Sequence, residues 1–192
     1  MPAIHAALRR PRDATVLKRS HHSAQTLFIE LERTSEAWDD LLPDVDLWAR
    51  RILRETLIGA GAQDRIAEGC VLSLLFADDA AIRELNRRFR GKDKPTNVLS
   101  FPAGALPPGE EPPLLGDIAF ALQTVRAEAA ASGKPFSHHM THLLVHGILH
   151  LLGFTHEDDA EEGRMTAIEI SVLATLGIPD PYPVLEREAG AS

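Results

Sequence analysis

Apolar and polar positions alternate along the first half of the chain in a way that predicts short strands and amphipathic helices. Residues 27–31 (LFIEL) and 70–76 (CVLSLLF) favour two strands, and the second is apolar on both faces, which is typical of a buried strand. Helical spacing of apolar residues over 47–58 and 80–89 predicts one helix after each strand.

The second half of the chain predicts two further strands and three consecutive helices. Residues 98–101 and 117–120 favour the strands. One helix follows directly, a nearly all-apolar one is expected over 137–152, and the last begins in the acidic cluster 157–162. The fold class is therefore α+β: a single domain with a small mixed sheet of about four strands, packed with about five helices.

The two ends of the chain lack this pattern. Residues 1–25 are rich in arginine and have no sustained apolar period, which predicts a disordered or loosely ordered N-terminal extension. The folded domain is expected over 26–185, with a C-terminal tail over 186–192. Within the domain, the proline-rich residues 102–114 are expected to form a mobile loop.

Composition and charge narrow the class of protein. Among the 192 residues, no apolar run is long enough to span a bilayer, and the N-terminus has no apolar secretion signal, so no membrane association is expected. The single cysteine, Cys70, cannot form an intrachain disulfide, which favours the cytoplasm. The net charge of -8 argues against broad wrapping of nucleic acid, although residues 83–94 hold six basic residues against two acidic ones.

A group of histidines near the end of the predicted helix 137–152 indicates a metal site. His146 and His150 are four residues apart and share one helix face, and Gly153 can turn the chain back so that His156 reaches the same ion. Three imidazoles at about 2.0–2.1 Å satisfy zinc and leave its fourth position for water, the arrangement of catalytic zinc sites. We expect one zinc ion per chain, with nickel or cobalt as possible substitutes.

The residues around these histidines limit the chemistry. The spacing HxxxHxxGxxH is typical of one group of zinc proteases, but those carry a glutamate as general base where this chain has Gly147. Glycine cannot transfer a proton, which favours a metal-dependent hydrolase of another kind. His142 lies one turn before His146 and is expected either to support a ligand or to contact the substrate.

Three segments resemble the YbeY family of bacterial rRNA maturation factors. Residues His146–His156 are similar to that family's signature HGxLHLxGYDH, Asn86–Pro102 to a second signature, and Leu115–Ile118 to a third. The resemblance extends from about residue 27 to residue 182. It implies a zinc-dependent, single-strand-specific endoribonuclease that acts in 16S rRNA 3′-end maturation and ribosome quality control. The implied partners are single-stranded RNA, 16S rRNA, and the small ribosomal subunit with its assembly proteins.

The resemblance also assigns candidate site residues. Arg90 matches the family's arginine in the second signature and is the candidate catalytic residue, because a guanidinium can hold two phosphate oxygens. Lys92 and Lys94 either grip the RNA backbone or remain solvated, and Asn97 and Ser100 are expected to line the cleft.

Two departures from the family pattern and two alternative functions remain. Phe154 replaces the family's tyrosine, and Thr155 replaces an aspartate that would stand beside the third ligand. One alternative is a non-catalytic ribosome-assembly factor with a structural metal, although three ligands suit a closed structural site less well than four. The other is a metal-dependent hydrolase of another ester or amide.

Overall fold

Strands and helices alternate through the first half of the described chain. The second half ends in three consecutive helices. The computed structural model describes residues 28–42, 44–66, 69–103 and 114–182. Two single-turn 3-10 helices flank the first α-helix. The main elements of the described residues are β1 (Phe28–Arg33), α1 (Val45–Gly59), β2 (Val71–Ala77), α2 (Asp79–Arg90), β3 (Val98–Pro102), β4 (Leu114–Ala121), α3 (Leu122–Ala131), α4 (Phe136–Leu151) and α5 (Asp159–Thr175).

The four strands form one mixed sheet in the order β1-β2-β4-β3. Strands β1, β2 and β4 run parallel, and β3 pairs antiparallel with β4, where Ser100 lies opposite Ile118. The central strand β2 is buried along nearly its whole length, which its continuous apolar sequence predicts. The predicted α+β class, mixed sheet and order of elements are therefore confirmed.

Each face of the sheet packs against different helices. Alternate residues of the central strands, including Leu74 and Phe120, join the main core with α1, α4 and α5. Their neighbours, including Leu75 and Ala119, face the opposite side, where they pack against Ile82 of α2. Helix α4 thus lies on one face of the sheet and α2 on the other.

Close packing against the sheet fixes the position of α4. A Cβ atom at Gly147 would lie 2.9 Å from Ile118 Cδ1 and 3.0 Å from Ser100 Oγ, so only glycine lets the helix approach β3 and β4 this closely. The rest of the helix facing the core is apolar and buried. This contact holds the C-terminal half of α4, which carries two of the three candidate ligands, at a fixed height above the sheet.

Two aspartates begin helices as the sequence indicates. The Asp78 side chain accepts a hydrogen bond from the Ala81 amide at the start of α2, and Asp158 accepts one from the Glu161 amide at the start of α5. Each satisfies an amide that has no partner within the helix.

The structure differs from the sequence prediction at one strand. Strand β4 begins at Leu114, three residues before the predicted start at Asp117. The reason is Gly116, where a Cβ would lie 2.5 Å from the Phe101 carbonyl oxygen; the glycine permits a close strand approach instead of marking a break. The predicted extension 1–25, tail 186–192 and most of the loop 102–114 lie outside the described residues.

Two smaller expectations concern burial and membranes. Cys70 is a free thiol and is buried, as its apolar surroundings predict. Among the helices that the structure describes, none is both long enough and apolar enough to cross a membrane.

Candidate metal centre

The structure brings His146, His150 and His156 together. Each offers a ring nitrogen, and these three atoms lie within 4.8 Å of one another. His146 and His150 stand one turn apart near the end of α4, with ring centroids 4.4 Å apart, and the His156 centroid is 5.0 Å from that of His150. Three imidazoles at this spacing can hold one metal ion.

A tight turn at the end of α4 places the third histidine. Gly153 has a φ of 88°, and its amide donates to the His150 carbonyl at 3.0 Å. The Phe154 amide donates to the Leu149 carbonyl at 3.0 Å, which completes a Schellman motif. The turn reverses the chain shortly after His150, so that His156 faces the C-terminal end of α4.

Hydrogen bonds fix which nitrogen of each helical histidine carries a proton. His150 Nδ1 lies 3.0 Å from the Phe154 carbonyl oxygen, which can only accept, so Nδ1 donates and Nε2 keeps its lone pair. His146 Nδ1 lies 2.8 Å from Glu169 Oε1 and likewise donates. Burial, together with the neighbouring His146 ring, lowers the pKa of His150 and favours the neutral form that binds metals.

The two free nitrogens face each other. His146 Nε2 and His150 Nε2 are 3.0 Å apart, and with both Nδ1 atoms protonated, two lone pairs point into the same space. Such an arrangement is repulsive unless a proton or a metal ion lies between the nitrogens. Two ligands of a tetrahedral zinc ion, each bonded at about 2.0–2.1 Å, stand about 3.4 Å apart, so the donor set and its spacing fit the metal.

A buried carboxylate supports the first ligand. The Glu169 side chain, on α5, is 1% exposed and accepts hydrogen bonds from His146 at 2.8 Å and from His142 Nε2 at 3.2 Å. The Tyr182 hydroxyl donates a third. Burial alone would raise the pKa of Glu169, but these hydrogen bonds outweigh it and lower that pKa to about 2. The carboxylate is therefore ionised, and it orients the His146 ring.

Two of the six basic residues in segment 83–94 are committed to ion pairs on the surface. The Arg83 guanidinium makes a two-pronged contact with Asp93 at 2.7 and 2.8 Å, and Arg87 contacts Glu84. These pairs leave four cationic side chains without a carboxylate partner among the residues that the structure describes. We call these four the free basic cluster: Arg88, Arg90, Lys92 and Lys94.

Arg90 is the member of the free basic cluster that contacts strand β3 of the sheet. Its Nη2 donates to the Ser100 carbonyl at 3.3 Å, and its Cζ is 5.9 Å from the centre of the Phe101 ring. The Ser100 hydroxyl faces α4 at Gly147, the residue that follows His146. Arg90 is thus connected to the histidine helix through one residue of β3.

The other predicted contact residues fall into two kinds. Lys92 and Lys94 are exposed, and buried Asn86 holds their loop by donating to the Lys94 carbonyl at 2.7 Å. Asn97 is committed at both ends, because its Nδ2 donates to Glu128 at 3.0 Å and its Oδ1 accepts from the Val98 amide at 2.7 Å. The lysines are therefore available to a ligand, whereas Asn97 shapes the start of β3.

Comparison with known proteins identifies the family. Residues 40–177 match the family model described as Endoribonuclease YbeY. The chain belongs to the YbeY endoribonuclease family. A relative named Endoribonuclease YbeY from Rhodopseudomonas palustris is 45% identical over 168 residues, which cover 83% of this chain and 88% of the relative. A second, from Azorhizobium caulinodans, is 52% identical over 141 residues, which cover 73% and 87%.

Membership confirms the resemblance inferred from the three sequence segments, and with it the prediction of a hydrolytic enzyme class. A solution structure of a Thermotoga maritima protein has 22% identity to the chain, covers 81% of it and superposes with a TM-score of 0.48.

The structure explains one difference from zinc proteases and shows what replaces one YbeY residue. Gly147 faces the sheet at a distance that leaves no room for a glutamate side chain, so a protease-type general base cannot stand there. Thr155, where the family pattern has aspartate, donates a hydrogen bond to Glu161 of α5. A carboxylate from the next helix therefore contacts Thr155, the residue that precedes the third histidine.

Sequence reasoning missed Glu169 and Tyr182. Glu169 stands on the buried stripe of α5 with Met165 and Val172, and a charged residue at such a position is a signal of a buried partner. Tyr182 follows the last helix and has no comparable signal. The His142 ring nitrogen bonds Glu169, the carboxylate that also bonds His146, while a contact of His142 with the substrate stays a prediction.

Proposed function

We propose that the chain is a zinc-dependent, single-strand-specific endoribonuclease of the cytoplasm that acts in 16S rRNA 3′-end maturation and ribosome quality control. Family membership supports the endoribonuclease role, and the relatives carry that name. The observation that carries the metal dependence is the pair of opposed Nε2 atoms, 3.0 Å apart. The proposed partners are single-stranded RNA, 16S rRNA, and the small ribosomal subunit with its assembly proteins.

The proposed metal is zinc, one ion per chain, held by His146, His150 and His156. A neutral imidazole set suits zinc and also accepts nickel or cobalt. A zinc ion in this site supplies Lewis acidity toward a phosphate oxygen or water. The three histidines hold it, and Glu169 keeps the His146 ring in the orientation that directs Nε2 inward.

Phosphodiester cleavage builds negative charge on the phosphate oxygens, and the chain offers a fixed cation for it. Arg90 is anchored through one Nη2 bond to Ser100 and remains exposed, so its other donors are available to two phosphate oxygens. Lys92 and Lys94 add positive charge along the path of the RNA backbone. In this proposal Arg90 is the catalytic residue, and the lysines bind the substrate.

Metal analysis paired with RNA cleavage tests this proposal. The substrate is a single-stranded RNA that carries the 16S 3′ end, and the same RNA annealed to its complement tests strand specificity. We expect wild type to contain about one zinc and to cleave only the single strand. His150→Ala should lose the zinc and reduce cleavage by about 10³-fold, whereas Arg90→Ala should keep the zinc and reduce cleavage by about 10²-fold.

Two matched variants control for the loss of a histidine and of an arginine. His138→Ala removes a histidine from the first turn of α4, and Arg54→Ala removes a guanidinium that is 76% exposed on α1. Both should behave as wild type. If His150→Ala cleaves as fast as wild type, the activity belongs to another site, and the alternative of a non-catalytic ribosome-assembly factor with a structural metal takes precedence. If small phosphodiesters are cleaved with a higher kcat/KM than RNA, the alternative hydrolase function replaces this one.

A further inference from the structure

One aromatic side chain of the described residues is both large and exposed. Within the described ranges, three large hydrophobic residues are exposed: Leu47 at 70%, Ile58 at 48% and Phe89 at 39%. The first two are aliphatic and lie on α1, whereas Phe89 lies near the end of α2 within the free basic cluster. An aromatic ring left open to solvent between cations calls for an explanation other than core packing.

The ring of Phe89 is held in place by its neighbours. The Arg88 Cζ lies 5.2 Å from the ring centre, within the range of a cation–π contact. The Phe101 ring also contacts it edge-on, with centroids 5.4 Å apart and planes at 68°. The Phe89 ring is thus in contact with two neighbouring side chains, while 39% of the residue stays exposed to solvent.

The Phe101 ring connects Phe89 to Arg90, the proposed catalytic residue. Phe101 contacts Phe89 and also lies 5.9 Å from the Arg90 Cζ, so Phe89, Phe101 and Arg90 form one continuous surface. Arg90 in turn reaches Ser100 and the helix of the metal ligands. A nucleotide whose phosphate is held by Arg90 would therefore have its own or a neighbouring base close to Phe89.

We propose that Phe89, with Arg88 beside it, stacks an unpaired nucleobase of the RNA substrate next to the cleavage site. This proposal rests on the proposed function and adds a source of specificity to it. An aromatic ring with an adjacent guanidinium is the combination that single-stranded nucleic acid sites use. Paired bases in a duplex do not present their faces, so the stack selects single strands.

The charge around the ring favours RNA over a protein partner. Arg88 lies over the Phe89 ring, Lys92 and Lys94 follow within five residues along the chain, and none of the three forms a salt bridge with a carboxylate of the described ranges. A polyanion neutralises such a cluster and places bases beside it at the same time. The exposed stripe of α1, which carries Leu47 and Ile58, has no such aromatic ring and serves as the comparison surface.

Steady-state cleavage by the zinc-loaded full chain tests the stack. Phe89→Leu keeps an apolar side chain of similar volume but removes the ring, Phe89→Tyr keeps the ring, and Leu47→Ala controls for loss of an exposed apolar group. We expect Phe89→Leu to raise KM by about fivefold or more with kcat nearly unchanged, since base–aromatic stacking contributes roughly that much to binding. Phe89→Tyr and Leu47→Ala should match wild type.

A second substrate separates stacking from a folding effect. In an RNA of the same length with abasic residues around the cleavage site, the phosphates remain and the bases are gone. The KM difference between Phe89→Leu and wild type should vanish on this RNA. Two results would contradict the stacking proposal: a wild-type KM of Phe89→Leu on intact RNA, or the same increase in KM on both RNAs. Neither result would contradict the proposed endoribonuclease function. Absence of cleavage by wild type overturns the proposed function itself, and the stack with it.

Discussion

The histidine centre and the free basic cluster are two regions of one proposed site, and they are built in opposite ways. At the histidine centre, both helical rings are fixed by hydrogen bonds, and the supporting Glu169 is 1% exposed. In the free basic cluster, the backbone is anchored by buried Asn86 while the cationic side chains extend into solvent. The histidine centre thus fixes the positions of its ring nitrogens, whereas the free basic cluster fixes only the region in which its positive charge lies.

This difference follows from what each region is proposed to bind. A metal ion requires its ligands to stay within a few tenths of an ångström, which only packed and hydrogen-bonded side chains provide. A polyanion responds to the local field, which changes little when a lysine side chain rotates. Substitutions behind the histidines should therefore have large effects on metal binding, and substitutions in the free basic cluster should have small, graded effects on RNA binding.

The sharpest test of this comparison is Glu169→Gln. The amide keeps the size of the carboxylate but loses its charge, so His146 and His142 lose an ionised acceptor. We expect metal affinity to fall by about 10- to 100-fold, measured by competition with a chromogenic chelator. Glu162→Gln removes an exposed carboxylate from the same helix and should change nothing. Equal affinities of all three proteins would show that the histidines need no support.

A smaller effect is expected from Gly153→Ala. A Cβ at this position meets no atom within 4 Å, so the cost comes only from the φ of 88°. A non-glycine residue with this backbone conformation costs about 1–2 kcal/mol, which should lower the urea midpoint and weaken metal binding through His156.

Gly163→Ala is the matched control for that variant. Gly163 also has open space around its Cβ position, but it lies within α5 and has no positive φ. Alanine there should stabilise the protein by about 0.5–1 kcal/mol. Unfolding curves that shift in the same direction for both variants would contradict the strain assigned to the turn.

The smallest effects should come from Lys92→Ala and Lys94→Ala. Each should weaken RNA binding by about two- to fivefold at low salt and reduce the slope of log K against log salt by about 0.7. Neither should alter metal affinity. Fluorescence anisotropy with a labelled single-stranded RNA over a salt series measures both quantities, with Arg54→Ala as the control. A loss of metal from either lysine variant would break the separation between the two regions.

The parts of the site that sequence predicts are those set by local geometry. His146 and His150 are related by one helical turn, and Gly153 makes the reversal that brings in His156, so their proximity follows from spacing alone. Glu169 reaches His146 across 23 positions in the chain, and no local rule connects them. Arg90 needed the family resemblance, because its contact with Ser100 depends on how α2 meets the sheet edge.

In the fold too, sequence predicts the local features and misses a long-range one. Apolar patterns predict all four strands and all five helices of the described residues in the right order, since each pattern reflects the period of one element. The predicted start of β4 at residue 117 is wrong, because the strand begins at Leu114 and includes Gly116. Its close approach to Phe101 is a property of the assembled sheet.

Strand β3 lies at an edge of the sheet, and half of its backbone groups point away from β4. The Ala121 amide donates to the Asn97 carbonyl at 3.0 Å, and the Ala103 amide donates to the Leu115 carbonyl at 3.3 Å. Odd-numbered residues of β3 therefore bond toward β4. The groups of Val98, Ser100 and Pro102 face the open side.

Each of these three outward residues has one backbone group that cannot pair with a foreign strand. The Val98 amide is taken by the Asn97 side chain, the Ser100 carbonyl is taken by Arg90, and Pro102 has no amide to offer. Open edges are where sheets of separate molecules join and aggregate. Because the Arg90 guanidinium occupies the Ser100 carbonyl, alanine at position 90 would expose a hydrogen-bond acceptor on this edge as well as remove the charge proposed for RNA cleavage.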